Sequence, residues 1–132
     1  MDSILAEMDF ETLAHGEFTA SPAALQTMID KEKVLILDVR TDVEAMHCEY
    51  PFAIRIPLQH LPDRVGELPE DKMIITLAAS PFQAAVGFLF LRQSGFEEVK
   101  TLVAGTEQLA SILKPAPLLM NQFPKLDVMS KR

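Results

Sequence analysis

The sequence predicts an α/β domain in which a parallel sheet of about five strands carries helices on both faces. Three observations carry that expectation. Short β-branched apolar runs at residues 34–39, 74–77 and 99–103 alternate with helical segments, the pattern of strands joined by helical crossovers. Residues 34–39 read Val-Leu-Ile-Leu-Asp-Val, with almost no polar alternation, as expected of a central strand covered on both sides. Residues 73–96 are a strand, a turn and a helix in immediate succession. The loop of such a unit aims backbone N–H groups beyond the strand's carboxyl end.

The elements follow in order. Residues 1–16 place Ile4, Leu5, Met8 and Leu13 near helical spacing, with Asp2 or Ser3 as cap and Gly16 as stop, so one helix is expected there. Phe18 and Thr19 make a short strand. Ser21-Pro22 is a cap with proline at the first helical position, and the helix it opens runs to about Asp30 with Leu25, Met28 and Ile29 inward. After the strand at 34–39, residues 42–46 read as a short helix, 47–52 as loop and 53–57 as a brief strand. Residues 58–68 suit a helix that Pro62 and Gly66 make irregular. Ser80, Pro81 and Gln83 form a capping box with proline at N1, opening a helix to about Ser94 with Gly95 at C′. Beyond the strand at 99–103, Ala104-Gly105 is a turn and 106–113 a last helix, stopped by Pro115 and Pro117. The expected organisation is an N-terminal helical extension at 1–16, the α/β domain at 17–114 and a C-terminal tail at 115–132.

Composition narrows the function. A chain of 132 residues is one domain, burying roughly two-thirds of its unfolded surface. Its net charge of −7 speaks against nucleic acid or an anionic membrane as partner, since both need a basic footprint. One cysteine forms no internal disulfide, which makes a reducing cytoplasm the expected compartment. No basic stretch followed by a long apolar core marks a secretory leader, and the most apolar window, 84–91, is too short to span a bilayer. His15, His47 and His60 lack metal-ligand spacing, so no metal and no cofactor are expected.

The loop at 78–83 holds no thiol, imidazole or charged side chain. The backbone of Ala79, Ser80, Phe82, Gln83 and Ala84 at the helix start is a candidate anion seat, although Pro81 removes one donor. The plainer reading is a well-capped helix that binds nothing. Phe82 at the loop tip suits a partner surface if exposed and the core if not. Cys48, the one thiol, is reactive only if His47 or Arg40 favours its thiolate; otherwise it is a small buried hydrophobe. Asp38, Arg40 and His47 are candidates for a pocket rim, with Arg40 able to pair with Glu44 and His47 able to pair with Asp38 or Glu44.

Three landmarks stand in an order that resembles the rhodanese-like domain, the fold shared with Cdc25-type phosphatases. Leu37-Asp38-Val39-Arg40 resembles the family's strand end, followed by Glu44 and His47. Residues 53–58, Ala-Ile-Arg-Ile-Pro-Leu, resemble its next strand, and Gly95-Phe96 through Val99, Leu102 and Ala104-Gly105 resemble its ending. Counted back from Gly95-Phe96, the resemblance puts Ala78 at the catalytic cysteine position, Pro81 at a loop glycine and Gln83 at the oxyanion-binding arginine. A sulfurtransferase of this kind needs a low-pKa thiolate to carry sulfur, and alanine supplies none. The resemblance therefore implies a non-catalytic rhodanese-like module that binds an unknown protein partner or a small anionic or sulfur-containing ligand at 78–83. The alternative is a sulfurtransferase or persulfide carrier that uses Cys48.

Overall fold

The computed structural model describes residues 1–29, 31–46, 48–103 and 116–117, the last two by backbone alone. Its elements are α1 (Asp2–Ala6), α2 (Phe10–Ala14), β1 (Thr19–Ala20), α3 (Pro22–Met28), β2 (Val34–Asp38), β3 (Cys48–Glu49), β4 (Ala53–Arg55), α4 (Leu61–Arg64), β5 (Met73–Leu77), α5 (Pro81–Gln93), β6 (Val99–Leu102) and β7 (Ala116–Pro117). Short 3₁₀ turns at Leu58–His60 and Val65–Glu67 flank α4.

Five strands form one sheet in the order β1-β6-β5-β2-β4, and every neighbouring pair is parallel. Parallel strands need crossovers, and the crossovers cover both faces. On one face Leu35, Leu37, Val39, Ile74 and Val99 pack with Ala84, Phe88 and Leu91 of α5 and Leu61 of α4. On the other, Ile36, Ile75, Leu77 and Leu102 pack with Leu25 of α3 and with Tyr50. The period-two alternation of side chains along β2 and β5 makes this division, so continuous apolar runs were the correct sign of a two-sided sheet. Thr76, fully buried, satisfies its hydroxyl by donating to the Ala84 carbonyl at 2.8 Å. That bond ties the first turn of α5 to the strand before it.

Both ends of α5 are chemically determined. Ser80 accepts from the Gln83 N–H while the Gln83 side chain accepts from the Ser80 N–H, a complete capping box. At the other end Gly95 takes φ +106°; its N–H donates to the Arg92 carbonyl and the Phe96 N–H to the Leu91 carbonyl, each at 3.1 Å. With Leu91 and Phe96 both buried in the core, this is a Schellman stop with its hydrophobic contact.

The N-terminal residues differ from expectation. They form two short helices, because Asp9 caps α2 by accepting from the Thr12 N–H and so restarts the chain after Met8. Met1 stands at the N-cap of α1 without a side-chain bond, so neither Asp2 nor Ser3 caps it. Arg92 of α5 holds this extension through Glu7 at 2.8 Å. Residues 42–46 form turns and no helix: one bond, Ala45 N–H to the Thr41 carbonyl, spans four residues, and the next, Met46 N–H to the Val43 carbonyl, spans three. Within the expected loop at 47–52, β3 pairs antiparallel with β7. The turn expected at Ala104-Gly105, the helix at 106–113 and most of the tail lie outside the described residues. Among the described residues no helix is long and apolar enough to cross a membrane.

Because Gly95 occupies a backbone region that L side chains avoid, Gly95→Ala is expected to lower stability by about 1–2 kcal/mol. A urea midpoint unchanged from that of the parent chain would show that the stop does not depend on the glycine.

Candidate functional site

The carboxyl end of β2 carries the most constrained polar group in the molecule. Asp38 and Arg40 are 2% and 1% exposed. They lie below the surface, and Arg40 pairs with Asp38 and not with Glu44. Arg40 Nε donates to both Asp38 carboxylate oxygens at 3.0 Å and Nη2 to Oδ2 at 2.8 Å, while the Arg40 N–H donates to Oδ1 at 3.0 Å. Nη2 also donates to the Cys48 carbonyl at 3.0 Å, and the guanidinium carbon lies 4.5 Å from the centre of the Tyr50 ring. Burial opposes the Arg40 charge, but the hydrogen bonds and charge of Asp38 outweigh it and hold its pKa above the ordinary value. Arg40 Nη1 and Tyr50 Oη have no hydrogen-bond partner among the described residues.

One consequence reaches Cys48. Its side chain is half-buried and packs at the edge of the cluster containing Ile36, Tyr50 and Leu77. Burial pushes the thiol pKa up, Asp38 and Glu49 push the same way, and Arg40 alone opposes them. That is the opposite of what an activated thiolate needs.

The turn after Arg40 closes on the start of α5. Thr41 and Glu44 bond reciprocally, the Thr41 N–H donating to Glu44 Oε1 at 2.9 Å and the Glu44 N–H to Thr41 Oγ1 at 3.1 Å. Glu44 Oε2 then accepts from Gln83 Nε2 at 3.0 Å, and Gln83 Oε1 accepts from the Ser80 N–H at 3.1 Å. The Gln83 N–H donates to Ser80 Oγ and the Ala84 N–H to the Ser80 carbonyl. Three N–H groups of the expected anion seat, those of Ser80, Gln83 and Ala84, are thus engaged within the protein. The Gln83 bond, then those from Thr41, holds the Glu44 carboxyl below its usual range. Its stabilising contribution is present above the ordinary carboxylate range and is lost as the pH falls through the lowered value.

The structure brings Ala78, Ser80, Gln83 and Glu44 together at the carboxyl ends of β2 and β5. Ala78 is buried, with 1% exposure, whereas Phe82 is 76% exposed. His47 lies outside the described residues. Tyr50 and Thr41 were not singled out from the sequence; the Thr-x-x-Glu spacing at 41–44 was the available signal for the second, and nothing local marked the first. Among the described residues no group of three His, Cys, Asp or Glu side chains could hold a metal ion. A groove of about 280 Å³ lies at the opposite end of the strands, beside Met73 and Val99. Two of its basic groups are already used, Arg92 by Glu7 and Lys100 by the Glu17 carbonyl.

Comparison with known proteins gives one family. The model of the rhodanese-like domain matches residues 21–111. A sulfurtransferase of Allochromatium vinosum is 29% identical over 85 residues, covering 64% of this chain and 79% of that protein. The crystal structure of the BH2092 protein from Bacillus halodurans superposes with a TM-score of 0.68 at 25% identity, covering 84% of this chain and 82% of that one. A single-domain sulfurtransferase of Saccharomyces cerevisiae shares the fold at a TM-score of 0.64 and 20% identity, over 71% of this chain and 89% of its own.

Two outcomes are expected. Arg40→Ala leaves Asp38 buried without its cation, so it should cost about 3–5 kcal/mol in urea unfolding; a loss below about 1 kcal/mol would show the pair to be dispensable. Tyr50 is the one tyrosine and there is no tryptophan, so absorbance near 295 nm (about where tyrosinate absorbs) follows Tyr50 alone. Burial and then Cys48 push its pKa up to about 12. Folding favours the neutral phenol, so the stability it contributes is complete below about 10 and declines as the pH rises toward the folded value. A native-state inflection near 10 would contradict the burial of this ring.

Proposed function

The chain belongs to the rhodanese-like domain family, and we propose that within it the protein is a non-catalytic module that binds a protein partner at the loop formed by residues 78–83. The observation that carries this reading is the bond from Gln83 to Glu44. The resemblance puts Gln83 where an arginine would meet a substrate oxyanion; here that side chain is neutral and committed to Glu44 and Ser80. Ala78, at the position the resemblance assigns to the nucleophile, has no group that could accept sulfur. The loop therefore lacks the thiol and the cation, and its N–H groups at Ser80, Gln83 and Ala84 are spent internally.

Exposed apolar side chains on α5 and on the turn that bonds to it support a protein partner over a small anion. Phe82 is 76% exposed, Val43 72%, Met46 53% and Val86 38%. Large apolar side chains grouped on a surface mark interaction sites, and aromatic and methionine side chains are enriched in such interfaces. The Allochromatium vinosum relative is named a sulfurtransferase, and that activity would have to reside here at Cys48, whose raised pKa disfavours the thiolate.

Incubation with thiosulfate, and separately with 3-mercaptopyruvate, followed by intact-mass measurement, tests the non-catalytic reading. The expected mass is that of the untreated chain. A gain of one sulfur atom that reductant removes, and that Cys48→Ser abolishes, would assign sulfur transfer to Cys48 and overturn it.

A further inference from the structure

The N-terminal extension is built differently from the rest of the chain. Residues 1–17 hold five of the chain's 19 Asp and Glu side chains, Asp2, Glu7, Asp9, Glu11 and Glu17, and none of its 12 lysines and arginines. The second helix of this extension, α2, is five residues long and buries none of them. A helix that short does not stand on its own hydrogen bonds in water and depends on the packing of an apolar face. Phe10 and Leu13, three residues apart on one face of α2, are 86% and 54% exposed. Among the described residues nothing covers that face.

The surroundings of α2 say what would cover it. Glu7 and Glu17 bound the α2 segment on either side, and both line the groove of about 280 Å³, so α2 lies beside that groove. Glu97 and Glu98 line it as well. Of these four carboxylates only Glu7 stands in an ion pair among the described residues, with Arg92, and the Lys100 ammonium donates to the Glu17 carbonyl. Glu17, Glu97 and Glu98 are exposed. Among the described residues no three such groups could hold a metal ion, so cations spaced along a polypeptide suit them better than a bound ion. A second copy of this chain would bring the same carboxylates to the contact, and like charges facing one another across an interface are costly. The uncovered apolar face and the unpaired carboxylates beside it are met together by a partner that is both apolar and basic.

We propose that α2 and the adjoining groove form a docking surface for a basic amphipathic segment of another protein. The apolar side chains of that segment cover Phe10 and Leu13, and its lysines and arginines meet Glu17, Glu97 and Glu98. An amphipathic helix laid against an apolar face is a recurring mode of peptide recognition, and charges at the rim fix its register and speed its encounter. Met73 and Val99, the first residues of β5 and β6, line the groove. The surface therefore lies at the opposite end of the strands from the loop at 78–83, and the inference does not depend on what that loop binds.

The test adds a synthetic helical peptide of leucine and lysine, with leucines at i, i+3, i+4 and i+7, to the isotope-labelled full chain and follows its amide resonances. The shifts should saturate, be confined to residues 1–17 and 97–100, and weaken as salt is raised. A peptide of the same composition in scrambled order should bind several-fold more weakly. Phe10→Ser with Leu13→Ser should weaken the affinity by at least about tenfold, and Glu97→Gln with Glu98→Gln should flatten its salt dependence. In both variants the amides of β2 should stay in place and report an intact fold. Equal affinity for the scrambled peptide would reduce the binding to charge attraction and overturn the proposal, as would shifts centred on Phe82 and Val86, or no saturable shift at all. Sedimentation of the protein alone should show a monomer; a dimer that Phe10→Ser dissociates would assign the face to a second copy and overturn it equally.

Discussion

A charge taken out of water is costly unless an opposite charge meets it, and at the carboxyl end of β2 Asp38 and Arg40 meet each other. Asp38 ends the strand, and the chain turns back so that its N–H at Arg40 and the Arg40 guanidinium both reach the same carboxylate. The remaining donors fix what comes later: Nη2 holds the Cys48 carbonyl, and the guanidinium plane covers Tyr50. Residues 48–50 are thereby held over the strand end, and the turn between them is drawn toward α5. A buried ion pair adds little net stability compared with an apolar replacement; what it contributes here is a defined path for the chain from β2 to β4.

The loop inherits its character from that path. With the 41–46 turn fixed, Glu44 meets Gln83, and Gln83 meets Ser80, so the capping box of α5 is linked by hydrogen bonds to the reciprocal Thr41–Glu44 pair. A helix start with free N–H groups attracts anions. Here the Ser80, Gln83 and Ala84 N–H groups are engaged within the protein, and the side chain exposed at the loop tip is Phe82. At the carboxyl ends of β2 and β5 a polar network of Thr41, Glu44, Gln83 and Ser80 thus stands beside the exposed ring of Phe82.

Much of this was legible in the sequence because it is local. The apolar runs of β2 and β5, the Ser80-Pro81-Gln83 cap and the Gly95 stop are decided by neighbours within a few residues, and each stands where the sequence puts it. The failures are of two kinds. Asp9 as a cap and the Thr41–Glu44 pair are visible in the sequence, yet spacing alone predicts one helix over 1–16 and a short helix over 42–46, because it does not say how far a turn propagates. The Glu44–Gln83 bond joins residues 39 apart, and the Arg40 stacking on Tyr50 depends on how the chain returns over β2. No period or propensity encodes either contact. That Arg40 pairs with Asp38 and not with Glu44, which the sequence also allows, follows from the strand ending between Asp38 and Arg40.

If the loop is closed on itself, anions find no free donor at Ser80, Gln83 or Ala84. The most direct measurement is a titration of the full chain with sulfate and with thiosulfate, following the backbone amide resonances of Ser80, Gln83 and Ala84. These amides should move no more than those of distant surface residues. Saturable shifts confined to the three of them would show an open oxyanion seat and contradict it.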